Sequence, residues 1–201
     1  MAKRDIISVD ELRQLIRLDS ETGLLYWLPR RPEQFKAGVI TPEQGCAVWN
    51  RRFAGKPALN ADNHGYRSGS IWAVDHFAHR VVFALTHGRW PVGDVDHING
   101  IPSDNRPCNL REASRAENLH NMRSHRGSSS KYKGVSWDRK NRKWCVECGA
   151  GSRKVRVGRF DSEEEAARAY DAQARAMYGE FARLNLPKLD VPASEESGRQ
   201  R

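Results

Sequence analysis

Along residues 8–18, SVDELRQLIRL, the apolar positions Leu12, Leu15, Ile16 and Leu18 fall on one face of a 3.6-residue period. Ser8 and Glu11 form a capping box ahead of them, so the pattern predicts a short amphipathic helix. DSETG then turns the chain, and LLYWL reads as a strand. Between Pro29 and Asn63 no period holds, and short strands are expected there without positions. NHGYRSGSIW, Asn63 to Trp72, has hairpin character. Phe77 to His87, FAHRVVFALTH, predicts a helix that stops at Gly88, with Pro91 beyond it.

From Val95 the pattern shortens. VDHI is a brief strand followed by an Asn99-Gly100 turn, then a polar loop through Asp104, Asn105 and Arg106. NLREA predicts a second strand, and Ser114 with Glu117 opens a helix that runs to about Met122. Strand, loop, strand and helix in so few residues cannot bury much alone, so the preceding elements are expected to supply a packing surface. Arg123 to Ser130, RSHRGSSS, reads as a flexible linker with a root-mean-square span of roughly 15 Å. KGVSWD, KWCVEC and RKVRVGRF follow as three strand-like runs. Ser162 and Glu165 cap a helix, EEEAARAYDAQARAMY, that ends at Gly179, with Ala166, Ala169, Ala172 and Ala176 expected as the stripe on the sheet. FARLNLP closes the unit, and the polar tail after Pro187 is expected to be disordered.

Charge sharpens this division. Of the 201 residues, 38% are hydrophobic, which allows modest cores rather than one large one. The net charge is +9, and Arg126 to Phe160 holds 11 Lys or Arg against Asp138 and Glu147, the whole of that surplus. Elsewhere 23 basic residues balance 23 acidic ones. A confined surplus with Tyr132, Trp137, Trp144 and Phe160 interleaved points to nucleic acid ahead of a merely solvated surface. No apolar run approaches the about 20 residues of a membrane span, and Asp5 and Asp10 interrupt the opening stretch, which excludes a signal peptide. Four cysteines without a secretory signal indicate a reducing cytosol. Cys145 and Cys148 give one CxxC, short of the four ligands of structural zinc, with Cys46 and Cys108 distant, so all read as buried structural thiols.

The chemistry concentrates in VDHINGIPSDNRPCNL. Phosphodiester hydrolysis needs an activated water and a cation to absorb charge on the phosphate. An imidazole such as His97, with an ordinary pKa of about 6.5, is mostly neutral at pH 7 and able to take a proton. Asp96 and Asn118 offer hard oxygen donors suited to Mg²⁺. Adjacent residues on a regular strand face opposite sides, so Asp96 and His97 share a phosphate only if the strand is irregular there, as the Asn99-Gly100 turn permits. Alone they would serve as well to cap a surface turn.

AHRVVFAL, VDHINGIPSDNRPCNL and SRAENLHNM together, about Ala78 to Met122, resemble the HNH nuclease family, closest to its phage homing-endonuclease branch. The resemblance implies a ββα-metal core in which Asp96 and Asn118 bind Mg²⁺ (or Mn²⁺), His97 is the base, and Asn109 ties the loop to the strand. Cys108 departs from the acidic or polar residue usual there and is expected to be peripheral. His79 falls in the family's AHR pattern as a brace or a packed helix histidine. His120 and His125 are alternative ligands to Asn118, and His64, His76 and His87 show no partner.

YKGV, KWCVE, RVGRF, AARAYD and LNLP, within 131–187, resemble the plant Apetala-type or ethylene-response-factor DNA-binding domain. That family lays a three-stranded antiparallel sheet in the major groove with one helix behind it. The resemblance implies DNA contacts from Lys133, Trp137, Arg139, Lys143, Lys154 and Arg156. Arg156 replaces a tryptophan, and Gly149 replaces an arginine. Trp144 matches a buried position, while Trp137 is open between core and DNA.

The expected protein is therefore α+β: a buttressing region at 1–78, a nuclease core at 79–122, a linker at 123–130, a DNA-reading domain at 131–187 and a tail at 188–201. Its expected function is Mg²⁺-dependent, site-specific cleavage of double-stranded DNA by a monomer, phage-encoded and acting in the cytoplasm of a bacterial host, with no membrane role. A DNA-binding regulator with an inactive nuclease core is the rival. An RNA-binding module fits less well, because the major groove of A-form RNA is deep and narrow.

Overall fold

The computed structural model describes residues 7–121, 128–150 and 153–186. The expected positions at Met122, residues 123–127 of the linker, His125 and the tail 188–201 lie outside the described residues. The fold is α+β with several small antiparallel sheets, and it divides into two compact units, Met1–Asn118 and Leu119–Arg201.

The first unit opens with α1 (Val9–Leu15), where the Ser8 hydroxyl accepts the N–H of Glu11 as the capping pattern requires. The helix ends earlier than its periodicity suggests. Ile16–Asp19 is strand β1, antiparallel to β2 (Leu24–Trp27) with Leu18 opposite Leu25. Asp19 Oδ1 accepts the N–H groups of Glu21 and Thr22, so a tight turn folds the chain back and hairpin pairing overrides the helical spacing. Ile16 and Leu18, two apart, share a face in a strand but not in a helix.

The stretch that showed no period contains a twelve-residue helix, α2 (Pro42–Phe53). It starts on a full capping box: Thr41 Oγ1 accepts the Gln44 N–H, and Gln44 Oε1 accepts the Thr41 N–H. Only Cys46 is buried in it, which is why no apolar stripe announced it. Trp49 instead packs edge-on to Trp27, and the Arg30 guanidinium lies 4.0 Å from the Trp49 ring centre and 4.3 Å from that of Trp72. Strand β3 (Pro57–Ala58) completes the β1–β2–β3 sheet. A second sheet joins β4 (Ala61–Asn63), β5 (Tyr66–Ile71) and β6 (Val74–Phe77). Its second turn holds Trp72 and Ala73 at φ +50° and +62°, a two-residue hairpin without glycine and hence without a sequence signal.

Helix α3 (Ala78–His87) is the centre of this unit, with Val81, Val82, Phe83 and Ala84 buried and Gly88 left-handed at its end. The same apolar core takes in Leu12, Leu15, Ile16, Leu25, Ile71, Val95 and Leu110. Residues before and after α3 thus share one core, and through Val95 and Leu110 it carries β7 (Asp94–His97) and its antiparallel partner β8 (Leu110–Ala113). Helix α4 (Arg115–His120) follows β8 and spans the boundary between the two units.

In the second unit β9 (Val135–Asp138), β10 (Lys143–Ala150) and β11 (Arg153–Phe160) form one antiparallel sheet in the order β11–β10–β9, packed on α5 (Glu163–Tyr178). The helix face differs from the expected alanine stripe. Ala166, Ala167, Tyr170 and Ala174 are buried, whereas Ala172 and Ala176 are exposed. The i, i+4 row 166–170–174 meets the sheet, centred on a tyrosine that needs more room than alanine. Gly134, at φ +73°, makes that room: a Cβ there would fall 2.3 Å from the Tyr170 ring. Asp171 accepts the N–H groups of Asn185 and Leu186, and Asn185 bonds both backbone groups of Lys133, locking the closing segment to strand and helix.

Candidate active site and DNA-reading face

Strand β7 runs in regular register through its last residue, with Asp96 opposite Arg111 and His97 opposite Leu110. Their side chains therefore leave from opposite faces and enter different surroundings. Asp96, 4% exposed, is held by Arg111, whose Nε and Nη2 lie 2.9 and 2.8 Å from Oδ2. His97, 5% exposed, places Nε2 3.0 Å from Asn105 Oδ1. An amide oxygen only accepts, so Nε2 carries the proton and the lone pair of the neutral ring is on Nδ1. Burial pushes the imidazole below its ordinary pKa, against smaller opposing pulls from the Asn105 bond and the charges of Asp96 and Asp104. A neutral imidazole is the form a general base requires.

The loop between β7 and β8 is tied by its own amides. Asn109 Oδ1 accepts the Asn99 N–H, and its Nδ2 donates to Asn99 Oδ1 and to the Asp104 carbonyl. Asn99 Nδ2 donates to Asp104, whose other partner is Arg106 at 2.6 and 2.8 Å. The Arg106 bonds, with those from Asn99, hold the Asp104 carboxyl down at about 2. Asn118 sits on the first turn of α4, half-buried, its N–H on the Ser114 carbonyl. Among the described residues no hydrogen bond joins the Asn118 side chain to Asp96. Asn105 and Arg111 were not singled out from the sequence. The signal for Arg111 was positional, since the hairpin register sets it directly across from Asp96.

The His97 ring is edge-on to His79 at 5.2 Å, and Tyr66 lies 5.9 Å from His97. Two histidines expected without partners have them: His76 stacks on Trp90 and His87 packs on Phe83. Cys46, Cys145 and Cys148 are buried but Cys108 is exposed, because it belongs to the loop rather than to a strand. Among the described residues no three His, Cys, Asp or Glu side chains gather. One carboxylate with an amide oxygen is a donor set that suits Mg²⁺, which keeps most of its waters, rather than zinc.

On the sheet of the second unit, register assigns each side chain a face. Trp144, Val146 and Cys148 face α5, and Trp137, opposite Trp144 with rings 5.0 Å apart, shares that face. The other face carries Lys143, Glu147, Lys154, Arg156 and Arg159. Arg139 is exposed in the first hairpin. Lys143 pairs with Asp161, and Arg156 lies 3.9 Å from Glu147. Lys133 is half-buried, and burial, helped by Arg183, pushes its ammonium down to about 8. Glu147 was not foreseen; a carboxylate on this face can accept a hydrogen bond from cytosine N4.

A hairpin with a buried histidine and carboxylate followed by a short helix, and a basic three-stranded sheet backed by a helix, are the two arrangements that the chain presents. Comparison with known families agrees: the HNH endonuclease family matches residues 76–120 and the AP2 domain matches residues 130–180. Protein 3.8 of Escherichia phage T7 is 32% identical over 107 residues, covering 53% of this chain and 88% of that protein. The chain thus belongs to the HNH endonuclease family and carries an AP2 domain as well. Dehydration-responsive element-binding proteins 2A and 2C of Arabidopsis thaliana are 48% and 45% identical over 51 and 60 residues. Those stretches are 24% and 29% of this chain but only 15% and 17% of the plant proteins. No solved structure matches. Among the described residues no helix is long and apolar enough to cross a membrane.

Proposed function

We propose that the protein is a Mg²⁺- or Mn²⁺-dependent, site-specific endonuclease of double-stranded DNA, of the homing type. The observation that carries this reading is His97: a buried histidine held by Asn105 and kept neutral at the end of β7. His97 accepts the proton of the attacking water. Asn105 fixes its tautomer, and Asn109 keeps the loop that presents Asn105 in one shape. Asp96 and Asn118 are the residues that would hold the divalent ion, in a ββα-metal arrangement of β7, β8 and α4. Such an ion, when bound, offsets the charge that develops on the phosphate. Arg111 keeps the Asp96 carboxylate in a single orientation.

The basic sheet face supports major-groove reading, with Lys143, Lys154 and Arg156 on phosphates and base edges and Arg139 at the hairpin. Lys133 is half-buried ahead of β9, while Trp137 lies on the α5 side beside Trp144 but is 38% exposed, so its ring can still meet DNA at the edge of the sheet. Residues 1–78 buttress the nuclease core at 79–122, and 123–130 joins it to the reading domain at 131–187. The likeness to a phage protein supports a phage-encoded monomer acting in the cytoplasm of a bacterial host.

The test is incubation of the purified protein with supercoiled DNA of its source genome, in Mg²⁺ or in EDTA, beside His97→Ala. Nicking or linearisation that needs Mg²⁺ and disappears in the variant is expected, with DNA binding nearly unchanged. Cutting by the variant would overturn the assignment of the base. The grip of Arg111 on Asp96 favours one other reading, a DNA-binding regulator with a silent nuclease core. Tight binding without any cutting would select it.

A further inference from the structure

The face of the β4–β5–β6 sheet beside His97 is aromatic and open. Tyr66 begins β5, and Phe77 ends β6 opposite Ser68, two residues along β5 from Tyr66, so both rings rise from one face. Their centres are 5.8 Å apart, edge to face. Both rest on His79, each at 5.5 Å, and Tyr66 reaches His97 at 5.9 Å. Below, the two histidines are buried; above, Tyr66 and Phe77 are 36% and 38% exposed. The flanking turn, Asp62 to Gly65, is exposed and polar, so this pair is a local apolar platform in a hydrophilic rim. Tyr66 also lies outside the matched nuclease segment, 76–120.

We propose that Tyr66 and Phe77 form a stacking subsite for an unstacked nucleobase next to the scissile phosphate. This rests on the reading of His97 as the base that serves that phosphate. A phosphate taken at His97 carries its flanking nucleotide within reach of Tyr66. A ring face on the rim of a phosphate-processing site can pack on any base, whereas the surrounding polar side chains offer no such area. The subsite holds a base only after it leaves the duplex stack, so the preferred substrate is DNA that opens easily at the cut. Tyr66 and Phe77 are binding and positioning residues, and no proton passes through them.

Two experiments on the full-length protein test this. In the first, a short duplex taken from the DNA cut in the preceding experiment is compared with the same duplex bearing a mismatch bubble across the cut. Wild type is expected to favour the bubble. Tyr66→Ala should lower kcat/KM on the duplex about ten-fold, mainly through KM and without a change in Tm, and Tyr66→Phe should recover most of the loss. In the second, mixed-sequence bubble DNA carrying 5-iodouracil is photocrosslinked to the protein in EDTA, and the attached peptide is identified by mass spectrometry. Attachment to Tyr66 or Phe77 supports the subsite. Wild-type kinetics in Tyr66→Ala, equal losses in Tyr66→Ala and Tyr66→Phe, or attachment confined to other residues would each overturn it. The crosslink needs no cutting, so attachment at Tyr66 in a protein that never cleaves keeps base binding at this face but overturns the nuclease reading and, with it, the placement beside a scissile phosphate.

Discussion

Arg111 and Asp96 are 13% and 5% exposed at their side chains, and their ion pair is the most buried in the described structure. A charge kept out of water depends on its partner, so Arg111→Ala should cost about 3–5 kcal/mol in denaturant unfolding. Asp96→Leu combined with Arg111→Met removes both charges and should regain most of that stability while cutting stays absent. Equal stability of the single and double variants would show that the pair is not the source of the loss. Lys133 gives a second case, this time against stability. Its ammonium titrates at about 8 in the fold and near 10.5 when exposed. Above pH 8 the unfolded chain therefore binds more protons than the folded one, and stability rises with pH. Burial raises the Cys148 thiol, which opposes the trend once the unfolded thiol ionises near 9, so the rise is cleanest between pH 8 and 9. Lys133→Met should remove that rise and increase the Tm at pH 7, measured by thermal melts across this range.

At the scale of elements, the β7–β8 loop is long but not loose, because Asn109 makes three side-chain hydrogen bonds across it. Each such bond is worth about 1 kcal/mol net, so Asn109→Ala should cost about 3 kcal/mol and lower kcat more than it weakens DNA binding. A variant with normal kcat would mean that the loop's shape is irrelevant to His97. The same scale shows what was readable from spacing. The boundaries of α3, the Asn99-Gly100 turn and the caps at Ser8, Ser114 and Ser162 rest on residues within four positions of one another, and the sequence displays them. Thr41, Pro42 and Gln44 carried an equally good start signal for α2. Hydrophobic periodicity does not display this helix, because Trp49 and Phe53 pack on other aromatic rings and on Arg30 instead of forming a buried stripe. Ile16 follows the helical spacing of Leu12 and Leu15 but also pairs by two with Leu18, and pairing with β2 decided for the strand.

Over the whole molecule, charge and core are divided between the two units. Each has its own apolar cluster, and the basic surplus lies in residues 126–160 of the second, on the strands and on the segments around them. Binding that depends on phosphate neutralisation weakens with salt, each contact adding about one to the logarithmic slope. Lys154→Ala and Arg156→Ala should each reduce that slope by about one if they meet phosphate. A residue that reads a base should instead change the sequence preference with the slope retained. Fluorescence anisotropy on duplex DNA at several salt concentrations separates these outcomes.

By itself the sequence determined the residue types of the site, the order strand–loop–strand–helix, the helices α3 and α5, and the basic character of the second unit. These follow from local periodicity, capping and composition. Tertiary structure alone decided that Arg111 holds Asp96, that Asn105 holds His97, that Trp137 shares the face of α5, and that Tyr66 stands beside a histidine 31 positions away. Those neighbours depend on sheet register and on a core assembled from distant segments. A one-residue shift in register would send each of these side chains to the other face, so no local pattern could carry the information.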